Sequence, residues 1–493
     1  MARRFFEILP GASAWITLLG LVFFSWKFPI WVVLFIILFD LFWLLKTIYL
    51  FFYLQHSFSK LRKNTAIDWR AKLESEKSGE WEKLWHIVMF PMYKEPYEVV
   101  RESFIDLTNT AYPLEKMIVV LATEARGGES SAVIARRIQD EFGSRFGHFL
   151  ITTHPADLPG EIQGKGSNET WATKEVKEKV IDANRIPYEH VMISVFDIDT
   201  RPGNQYFGIL SYKFLTVEKP QRSSFQPIPL FTNNVHRVSP FARLIGFTST
   251  FWQLMQQGRP EQLVTFSSHS MPFAALPEIG YWHTDVTSED SRIFFQCMLH
   301  YRGDWKVEPL LYPIYMDAVT GTGFWNALKN LYKQQRRWAW GIENFPYVME
   351  EFWRRKDIPG RVKRFWIWRI FDGFYSWATS SFIIFLFGWL PNILGDDLFH
   401  TTVFSYNLPR ITGMLVNIAS IGIVTSAVLS VFLLPPHMKG FTKKHTALYF
   451  LQWILTPVTF IVFGSVPALE AQTRLMIGGK FRLGFWNTPK DVK

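Results

Sequence analysis

The sequence predicts an α/β domain that is flanked on both sides by membrane-spanning helices. Three observations support this fold class. Long apolar segments lie near both ends of the 493-residue chain, and between them short β-branched and aromatic runs alternate with amphipathic stretches. The mean hydropathy is only +0.04 although 48% of the residues are hydrophobic. Such a mean is the average of membrane segments and a charged domain.

Composition excludes several classes of protein. With 46 Phe and 21 Trp, the chain is too apolar to be disordered or collagen-like. Cys297 is the only cysteine, which rules out an intramolecular disulfide, a Cys-rich zinc site and an iron–sulfur cluster. Lys and Arg number 53 against 43 Asp and Glu, a net charge of +10. This excess indicates an anionic partner: nucleic acid, lipid headgroups or a phosphate-bearing substrate.

Residues 1–58 are expected to form a transmembrane hairpin. Apolar residues run from 8 to 26 and again from 30 to 54, and about 20 apolar residues suffice for one membrane helix. A cleaved signal peptide is the alternative, since Arg3 and Arg4 would supply its basic start. The second apolar segment and the lack of an obvious small-residue cleavage site argue against it.

The region 361–470 is expected to hold an interfacial helix and further membrane helices, with apolar segments at 365–391, 411–434 and 446–469. The first begins with Trp and Phe interleaved with Arg, a pattern typical of a helix in the headgroup layer. We therefore divide it into an interfacial helix over 364–371 and a span from about Phe374 to Leu390.

Basic residues at three places favour a cytoplasmic middle region: Arg3 and Arg4; Lys60, Arg62 and Lys63; and Lys439, Lys443 and Lys444. The tail from 471 to 493 is basic as well, yet three full spans before it would place it on the other side. The charge rule and the span count therefore disagree. Pro457 and Pro467 could make the last segment re-entrant or interfacial.

Residues 59–360 are expected to form a cytoplasmic domain around a parallel sheet, because runs of strand length alternate with helical patterns as in βαβ units. The expected strands are Trp85–Phe90, Met117–Leu121, His148–Thr152 and Val191–Phe196. The expected helices are Pro96–Thr110, Ser130–Phe142 and Glu169–Asn184. In such sheets ligands bind at the carboxyl ends of the strands.

Polar residues, most of them acidic, follow three of these strands. Tyr93 and Glu95 follow the first, Glu124 follows the second, and Asp197 and Asp199 follow the fourth. Two carboxylates at i and i+2 leaving a buried strand are costly unless a cation lies between them and an anionic ligand. Mg²⁺ or Mn²⁺ suits the pair, because such ions take oxygen ligands and are completed by substrate phosphates. The alternative is a surface turn, where Asp is common.

Two further clusters lie later in the chain. Residues 288–291 read Ser-Glu-Asp-Ser before an apolar helix, which places Glu289 and Asp290 at its N-terminus. An ordinary helix cap would have the same sequence. Residues 334–338 read Gln-Gln-Arg-Arg-Trp, and the first and fourth of them share one helical face. Taken alone, this cluster also fits a basic helix on a membrane surface.

In order and spacing, the motifs together resemble the signature of inverting family 2 glycosyltransferases, in the processive membrane branch of cellulose, hyaluronan and chitin synthases. The resemblance is carried by Pro-x-Tyr-x-Glu (91–95), Glu124, Gly-Lys-Gly-Ser-Asn (164–168), Asp-Ile-Asp (197–199), Ser-Glu-Asp (288–290) and Gln-Gln-Arg-Arg-Trp (334–338). Residues 485–490 are similar to the Phe-x-Val-Thr-x-Lys gating loop of bacterial cellulose synthase, with Asn487 in place of Val. Glu124 stands where the family often has Asp, and Ser288 replaces the usual Thr.

The resemblance implies a GT-A, Rossmann-like α/β catalytic domain that binds a nucleoside-diphosphate sugar, with a UDP-sugar expected, and Mg²⁺ or Mn²⁺ as cofactor. It implies that Asp290 is the general base and that Asp197 and Asp199 bind the metal. The nucleotide sugar would be bound by Tyr93, Glu95, Glu124, Lys165, Asp197, Gln334 and Arg337, and the acceptor by Trp338 and Glu289. The gating loop would be formed by Phe485, Thr488 and Lys490. Residues 266–271 either line the acceptor path or form a plain loop.

The leading hypothesis is a multi-pass enzyme of the cell membrane whose cytoplasmic domain elongates a polysaccharide that the helices export. Transfer of one sugar to a lipid-linked acceptor is the alternative within the same chemistry. The expected partners are the nucleotide sugar, a polysaccharide or lipid-linked acceptor and the lipid bilayer, without nucleic acid.

Other classes explain the sequence less well. A transporter or scaffold with a basic domain does not need ordered acids at strand ends. A P-loop ATPase fails on spacing, because only three residues separate Gly160 from Gly164. A retaining hydrolase would not require Lys and Arg for a diphosphate.

Overall fold

The computed structural model describes residues 2–434, 443–484 and 486–489. The strands are β1 (Trp85–Pro91), β2 (Met117–Glu124), β3 (His148–His154), β4 (Val191–Val195), β5 (Arg201–Pro202), β6 (Ser223–Leu230), β7 (His269–Pro272) and β8 (Lys306–Tyr315). The helices up to the end of the central domain are α1 (Ala2–Lys27), α2 (Pro29–Ala66), α3 (Trp69–Glu76), α4 (Tyr97–Thr108), α5 (Gly128–Phe142), α6 (Lys165–Val176), α7 (Tyr206–Thr216), α8 (Pro240–Gln257), α9 (Ala275–Ile279), α10 (Glu289–His300), α11 (Phe324–Ala339) and α12 (Asn344–Arg354). The later helices are α13 (Gly360–Phe385), α14 (Leu390–Leu394), α15 (Asp397–His400), α16 (Val403–Phe432), α17 (Lys443–Leu451), α18 (Thr456–Phe460) and α19 (Val466–Ile477).

All eight strands form one sheet in the order β3-β2-β1-β4-β7-β6-β8-β5. The four predicted strands are confirmed and pair in parallel. The expectation of a wholly parallel sheet was wrong, because β7 pairs antiparallel with both β4 and β6, and β5 pairs antiparallel with β8. The sheet is therefore mixed, and its parallel half carries the residues singled out from the sequence.

The parallel strands β1, β2 and β4 are buried on both faces, which explains their nearly continuous apolar sequence. Ile87 and Met89 pack into one hydrophobic cluster, whereas Val88 and Phe90 pack into another on the opposite face. This separation follows from the two-residue period of a strand. Each fully buried side chain of this size contributes about 1.5–3 kcal/mol relative to exposure.

The strands β6 and β8 escaped prediction because each contains two prolines. Proline lacks the N–H that a central strand donates, so such runs are usually assigned to loops or edges. Here the register shifts between Gln226 and Ile228. The Gln226 side chain bridges the irregularity: its Oε1 accepts a hydrogen bond from the backbone N–H of Phe266 at 2.8 Å, and its Nε2 donates to the Phe266 carbonyl at 3.0 Å.

Within the described ranges, four helices are long and apolar enough to cross a membrane, namely α1, α2, α16 and the broken helix α17–α19. A fifth candidate is the pair α13 and 387–394, which bends by 48°. The predicted break between an interfacial helix and Phe374 is absent, because α13 runs unbroken to Phe385.

Candidate active site

The predicted strand-end acids meet at one edge of the sheet because of the strand order. From β1 the chain continues to β2 and β3 on one side, whereas β4 lies on the other side. A crevice therefore opens at the carboxyl ends of β1 and β4, the place where open α/β sheets bind ligands. Tyr93 and Asp197 follow strands that end at this edge, and Glu124 is the last residue of β2.

A pocket of about 180 Å³ lies at this edge. Its lining includes most of the residues picked out from the sequence: Tyr93, Glu95, Glu124, Lys165, Asp197, Asp199, Asp290, Gln334, Arg337, Trp338 and Thr488. Glu289 is buried and is not part of the lining. Phe485, Lys490 and Lys439 lie outside the described residues. The structure thus brings together residues that are up to four hundred positions apart in sequence, as Asn487 and Glu95 show with a hydrogen bond of 3.1 Å.

Lys165 stands at the centre of the charged groups. Its Nζ lies 2.7 Å from Asp290 Oδ1, 3.0 Å from Asp197 Oδ1 and 3.6 Å from Glu169 Oε1. Burial alone would lower the pKa of Lys165, but the surrounding carboxylates raise it well above its ordinary value. The ammonium group therefore remains charged at neutral pH.

Gly166 explains why a glycine follows Lys165. A Cβ at this position would lie 2.9 Å from the carbonyl oxygen of His283 and 3.0 Å from Glu289 Cβ. Only glycine lets the first turn of α6 approach the first turn of α10 this closely. The close approach places Lys165 within hydrogen-bonding distance of Asp290.

Asp290 lies in the first turn of α10. Burial raises the pKa of its carboxyl group, Lys165 opposes that rise, and the charge of Asp197 adds to it. A carboxylate of raised pKa is a better proton acceptor. Asp290 is therefore suited to take a proton from a bound hydroxyl group.

Two further carboxyl groups lie behind the wall of the pocket and are not exposed to it. Glu169 is 0% and Glu289 1% exposed. Burial and the negative charge of Asp290 raise the pKa of Glu289 to about 8, and burial raises the pKa of Glu169 well above its ordinary value. Near pH 7 Glu289 is therefore mostly a neutral acid, and burial favours the neutral form of Glu169 as well, which limits the negative charge around Lys165.

Asp197 is held by two serines that sequence reasoning did not assign to this role. Ser267 Oγ donates to Asp197 Oδ2 at 2.7 Å, and the Asp197 backbone N–H donates to Ser268 Oγ at 3.1 Å. Ser267 adopts a φ of 44°, in the left-handed region, a conformation that costs about 1–3 kcal/mol for such a residue. The segment 266–271 is therefore not a plain loop around the acid, since part of it orients Asp197.

Asp199 is the second acid of the pair. Its Oδ2 accepts a hydrogen bond from the backbone N–H of Asp317 at 3.0 Å, and its carbonyl accepts one from Asn233 Nδ2 at 3.2 Å. Asp317 follows β8, and its position was not predictable once that proline-containing strand had been missed.

The donor atoms fit a hard divalent cation. Asp197 and Asp199 both line the pocket and offer only oxygen atoms, the ligand type that Mg²⁺ and Mn²⁺ prefer when phosphate completes their coordination. In the part of the chain that the structure describes, no group of three or more His, Cys, Asp or Glu side chains is placed to hold a metal. A bound ion would therefore depend on a ligand for further oxygen atoms.

At the β1–β2 side of the pocket, the side chains form a linked set. Glu95 Oε2 accepts a hydrogen bond from the Tyr93 backbone N–H at 2.7 Å. Arg126 pairs with Glu124, with Nη2 3.0 Å from Oε1, and its guanidinium lies 4.1 Å from the centroid of the Tyr93 ring. Arg126 was missed in the sequence because nothing in a Glu-Ala-Arg tripeptide separates a site residue from a surface ion pair.

The opposite wall is formed by the end of α11. Trp338 lies between Phe231 and Phe266, with ring centroids 6.1 and 5.7 Å away. The positive charge of Arg337 lowers the pKa of the carboxyl groups of Asp290 and Glu289, against the larger effect of burial. The pocket therefore places an aromatic ring and a guanidinium opposite the carboxylates.

A larger cavity of about 710 Å³ lies between the end of α2, the ends of β6 and β8, and the end of α16. It contains none of the residues that the motifs identified, and Asp106 is the one acidic residue in its lining. Size alone would have selected this cavity, but the clustered charges are found in the smaller pocket.

The comparison with known proteins agrees with the chemistry of the smaller pocket. The model of the family described as "Glycosyl transferase family group 2" matches residues 192–466, more than half of the chain. The match begins at β4 and includes Asp197, Asp199, Asp290 and Arg337. No curated protein matches the chain.

Two solved structures are similar at low identity. The mannosyltransferase PcManGT from Pyrobaculum calidifontis, in complex with GDP-Man and Mn²⁺, is 12% identical, with 83% of this chain and 99% of that chain covered and a TM-score of 0.40. TarS 1-349 from S. aureus, in complex with UDP-GlcNAc, is 10% identical, with 80% and 91% covered and a TM-score of 0.38.

The expected fold class, an α/β GT-A domain flanked by apolar helices, is confirmed by the sheet and the family match. The family match spans more than half of the chain and includes the acids that line the pocket. The chain therefore belongs to glycosyl transferase family group 2 and is a glycosyltransferase.

Proposed function

We propose that the protein is a membrane-embedded, inverting glycosyltransferase that transfers a sugar from a nucleoside-diphosphate sugar to a growing polysaccharide and exports the product. One observation carries the proposal: Lys165 lies within 3.0 Å of both Asp197 and Asp290. A cation that can pair with a diphosphate thus lies directly beside a carboxylate that can serve as a base.

In this mechanism Asp290 accepts the proton of the acceptor hydroxyl group. The hydroxyl oxygen then forms a bond to the anomeric carbon as the bond from that carbon to the diphosphate oxygen breaks. Attack from the face opposite the leaving group inverts the configuration. Lys165 and Arg337 stabilise the negative charge that grows on the diphosphate, and the Trp338 ring offers a face on which an acceptor sugar can stack.

Asp197 and Asp199 are the residues proposed to hold Mg²⁺ or Mn²⁺. Such an ion would neutralise charge on the diphosphate oxygens. The chain's own contribution is to fix both carboxylates, through Ser267 and Ser268 for Asp197 and the Asp317 backbone for Asp199.

The contacts of the apolar helices support a specific membrane topology. Leu429 near the end of α16 and Leu433 directly after it pack with Phe58 of α2 and with Leu230 of β6, so α16 ends on the side of the catalytic domain. The first turn of α1 lies on the same side, because Arg3 Nη1 is 3.8 Å from Glu350 of α12. We therefore assign crossings to α1, α2, α13 and α16.

The broken helix α17–α19 contacts the catalytic domain along its whole length. At its start, Tyr449 Oη donates to the Val235 carbonyl at 3.3 Å. Midway, the rings of Phe463 and Phe241 lie 5.5 Å apart. Near its end, Glu470 accepts a hydrogen bond from Tyr332 of α11 at 2.6 Å. A helix that crossed the bilayer would leave the domain at one end, so we infer that α17–α19 lies in the membrane interface.

This assignment resolves the conflict between the charge rule and the span count. Four crossings return the basic tail to the side of the catalytic domain, as the positive-inside rule requires. The tail contact supports it, since Asn487 Nδ2 donates to Glu95 Oε1 at 3.1 Å. We propose that this side is the cytoplasm.

We propose that the tail acts as a gating loop over the nucleotide pocket. Thr488 is 6% exposed and lines the pocket with Asn487. In Asn487→Asp, a second carboxylate would face Glu95 and repel it, which should displace the tail. We expect kcat/KM for the nucleotide sugar to fall several-fold. A rise in kcat/KM would instead identify the tail as an obstruction.

The decisive experiment supplies purified protein in lipid vesicles with a panel of UDP-, GDP- and other nucleoside-diphosphate sugars, with and without Mg²⁺ or Mn²⁺. Release of nucleoside diphosphate and the length of the labelled product are measured. We expect metal-dependent release from one sugar nucleotide and products of many sugars. A product that never exceeds one added sugar would replace polymerisation by single transfer to a lipid-linked acceptor, and no release from any donor would remove the enzyme proposal.

A further inference from the structure

Glu343 lies in the turn between α11 and α12, and its carboxylate joins two elements of the pocket. Oε1 accepts hydrogen bonds from Ser288 Oγ at 2.7 Å and from the backbone N–H groups of Thr287 and Ser288 at 3.1 Å each. Oε2 accepts one from the Trp340 indole N–H at 2.9 Å. We call Glu343 and these three partners the Glu343 clamp.

The first half of the clamp holds the start of α10. Ser288 is the N-cap residue, and its side chain makes no capping bond within the helix. The carboxylate of Glu343 instead accepts from the backbone N–H of the N-cap residue, one of the N–H groups that a helix start leaves without an intrahelical partner, and it lies next to the positive end of the helix dipole. Asp290 lies two residues after Ser288, in the first turn that this contact fixes.

The second half holds the end of α11. Trp340 is 2% exposed and directly follows this helix. Gln334, Arg337 and Trp338 occupy its last turns and line the pocket. The Glu343 side chain therefore bonds to the element that carries the proposed base. It also bonds to the element that carries the residues proposed to bind the diphosphate and the acceptor.

We infer that Glu343 is a positioning residue that sets the distance between Asp290 and the Arg337–Trp338 end of α11. The inference rests on the proposed function, because it concerns the alignment of base, donor and acceptor. Glu343 itself does not line the pocket, so it acts through the two elements it joins.

Other contacts keep α10 and α12 together when the clamp is lost. Asn344 Oδ1 accepts a hydrogen bond from Arg292 Nε at 2.5 Å, and Asn344 Nδ2 donates to Ser291 Oγ at 2.9 Å. Loss of Glu343 should therefore loosen the first turn of α10 without unfolding the domain. A Glu343 variant that stays folded but loses activity would therefore indicate a positioning role rather than a purely structural one.

The test is a double-mutant cycle of Glu343→Gln and Trp340→Phe. In Glu343→Gln, the amide oxygen can serve Thr287 and Ser288, but the amide NH₂ then faces the indole N–H, and two donors meet. We expect kcat to fall about 10- to 100-fold while KM for the nucleotide sugar stays within about threefold. Trp340→Phe removes the unmatched donor, so the double variant should recover about fivefold or more of the activity of Glu343→Gln.

Glu351→Gln is the matched control, because Glu351 lies two turns further along and accepts a hydrogen bond from Arg355 at 3.0 Å outside the pocket. It should keep the wild-type kcat. Equal losses of kcat in both Glu→Gln variants, or the absence of recovery in the double variant, would overturn the positioning role.

Hydrogen exchange tests the Glu343 clamp without an activity assay. Hydrogen exchange of a peptide covering Thr287 and Ser288 should be faster in Glu343→Gln than in the wild type, because a neutral amide oxygen replaces the charged carboxylate as the acceptor for two backbone N–H groups. Unchanged exchange would contradict the clamp whatever the enzyme transfers. If exchange accelerates as expected and the wild-type protein uses no sugar nucleotide, the proposed function fails while the clamp stands as a contact.

Discussion

At the scale of single residues, Asp290 carries the most specific prediction. Asp290→Asn keeps the shape of the side chain and removes its basicity, so we expect kcat to fall about 10²- to 10⁴-fold. Nucleoside-diphosphate affinity should be unchanged or higher, because a negative charge 2.7 Å from Lys165 is removed. Transfer kinetics and calorimetric titration measure the two effects.

The control for this change is Asp285→Asn, whose side chain is 66% exposed nearby. It should leave both quantities unaltered. If Asp290→Asn kept a kcat within about threefold of wild type, another group would have to be the base.

The raised pKa of Glu289 predicts how the stability of the folded protein depends on pH. Its pKa is raised from an ordinary value of 4.5 to about 8 by burial and by Asp290, so between these values the folded state binds more protons than the unfolded chain. The stability contributed by this proton is complete below pH 4.5 and is lost as pH rises towards 8.

Glu289→Gln imitates the neutral acid at every pH. Its Tm should therefore exceed that of the wild type by a margin that widens from pH 4.5 to 8, measured by thermal melts across this range. Glu278→Gln, at a carboxylate that is 53% exposed, should give a margin that does not change with pH. A constant margin for Glu289→Gln as well would refute the buried neutral acid.

Residues of the pocket differ in how far the sequence reveals them. Tyr93, Glu124 and Asp197 could be found because strand ends of a parallel sheet meet at one edge. Ser267, Asp317 and Glu343 could not, since their roles are hydrogen bonds to residues from distant parts of the sequence. Serine and glutamate are common at surfaces, so no local pattern distinguishes them.

At the scale of elements, Glu470 links α19 to α11 through hydrogen bonds. It accepts hydrogen bonds from Tyr332, Arg336 and Arg474, each at 2.6 Å. Glu470→Gln removes the charge that pairs with two arginines and should destabilise the protein by about 1–3 kcal/mol. Because α11 ends in the pocket, kcat/KM should fall as well.

The comparison for this change is Glu74→Gln on α3, where the carboxylate accepts from Arg70 at 2.8 Å but is 53% exposed. An exposed pair of this kind contributes about 0–1 kcal/mol. Denaturant unfolding and transfer assays on both variants measure the difference. Equal and small effects would show that the contact between α11 and α19 is not needed for activity.

Element prediction succeeded where one periodicity dominated. The four parallel strands β1 to β4 were recognised from short apolar runs. Strands β6 and β8 were not, because Pro227, Pro229, Pro309 and Pro313 interrupt the usual strand pattern. In this sheet the Gln226 side chain replaces part of the backbone pairing, a compensation that exists only after the fold has formed.

At the scale of the whole molecule, the proposed four-crossing topology predicts which residues face each side of the membrane. Asp397 is the first residue of the short helix α15, between α14 and α16, and Lys480 follows α19; both are exposed. Cys297 is 0% exposed, so a membrane-impermeant maleimide should label this native cysteine very little. In intact cells Asp397→Cys should be labelled, and Lys480→Cys should be labelled only after permeabilisation. Labelling of both from outside would show that α17–α19 crosses the bilayer.

The sequence by itself determined the central α/β domain, its apolar flanks and the identity of the charged residues at the strand ends. These features depend on local composition and on the fixed geometry of parallel strands, which short patterns carry. The tertiary structure decided the mixed sheet, the contact between the tail and Glu95, and the network of Lys165, Ser267 and Glu343. The physical reason is that these contacts join residues distant in sequence, and their free energy appears only when packing has brought the partners within hydrogen-bonding distance.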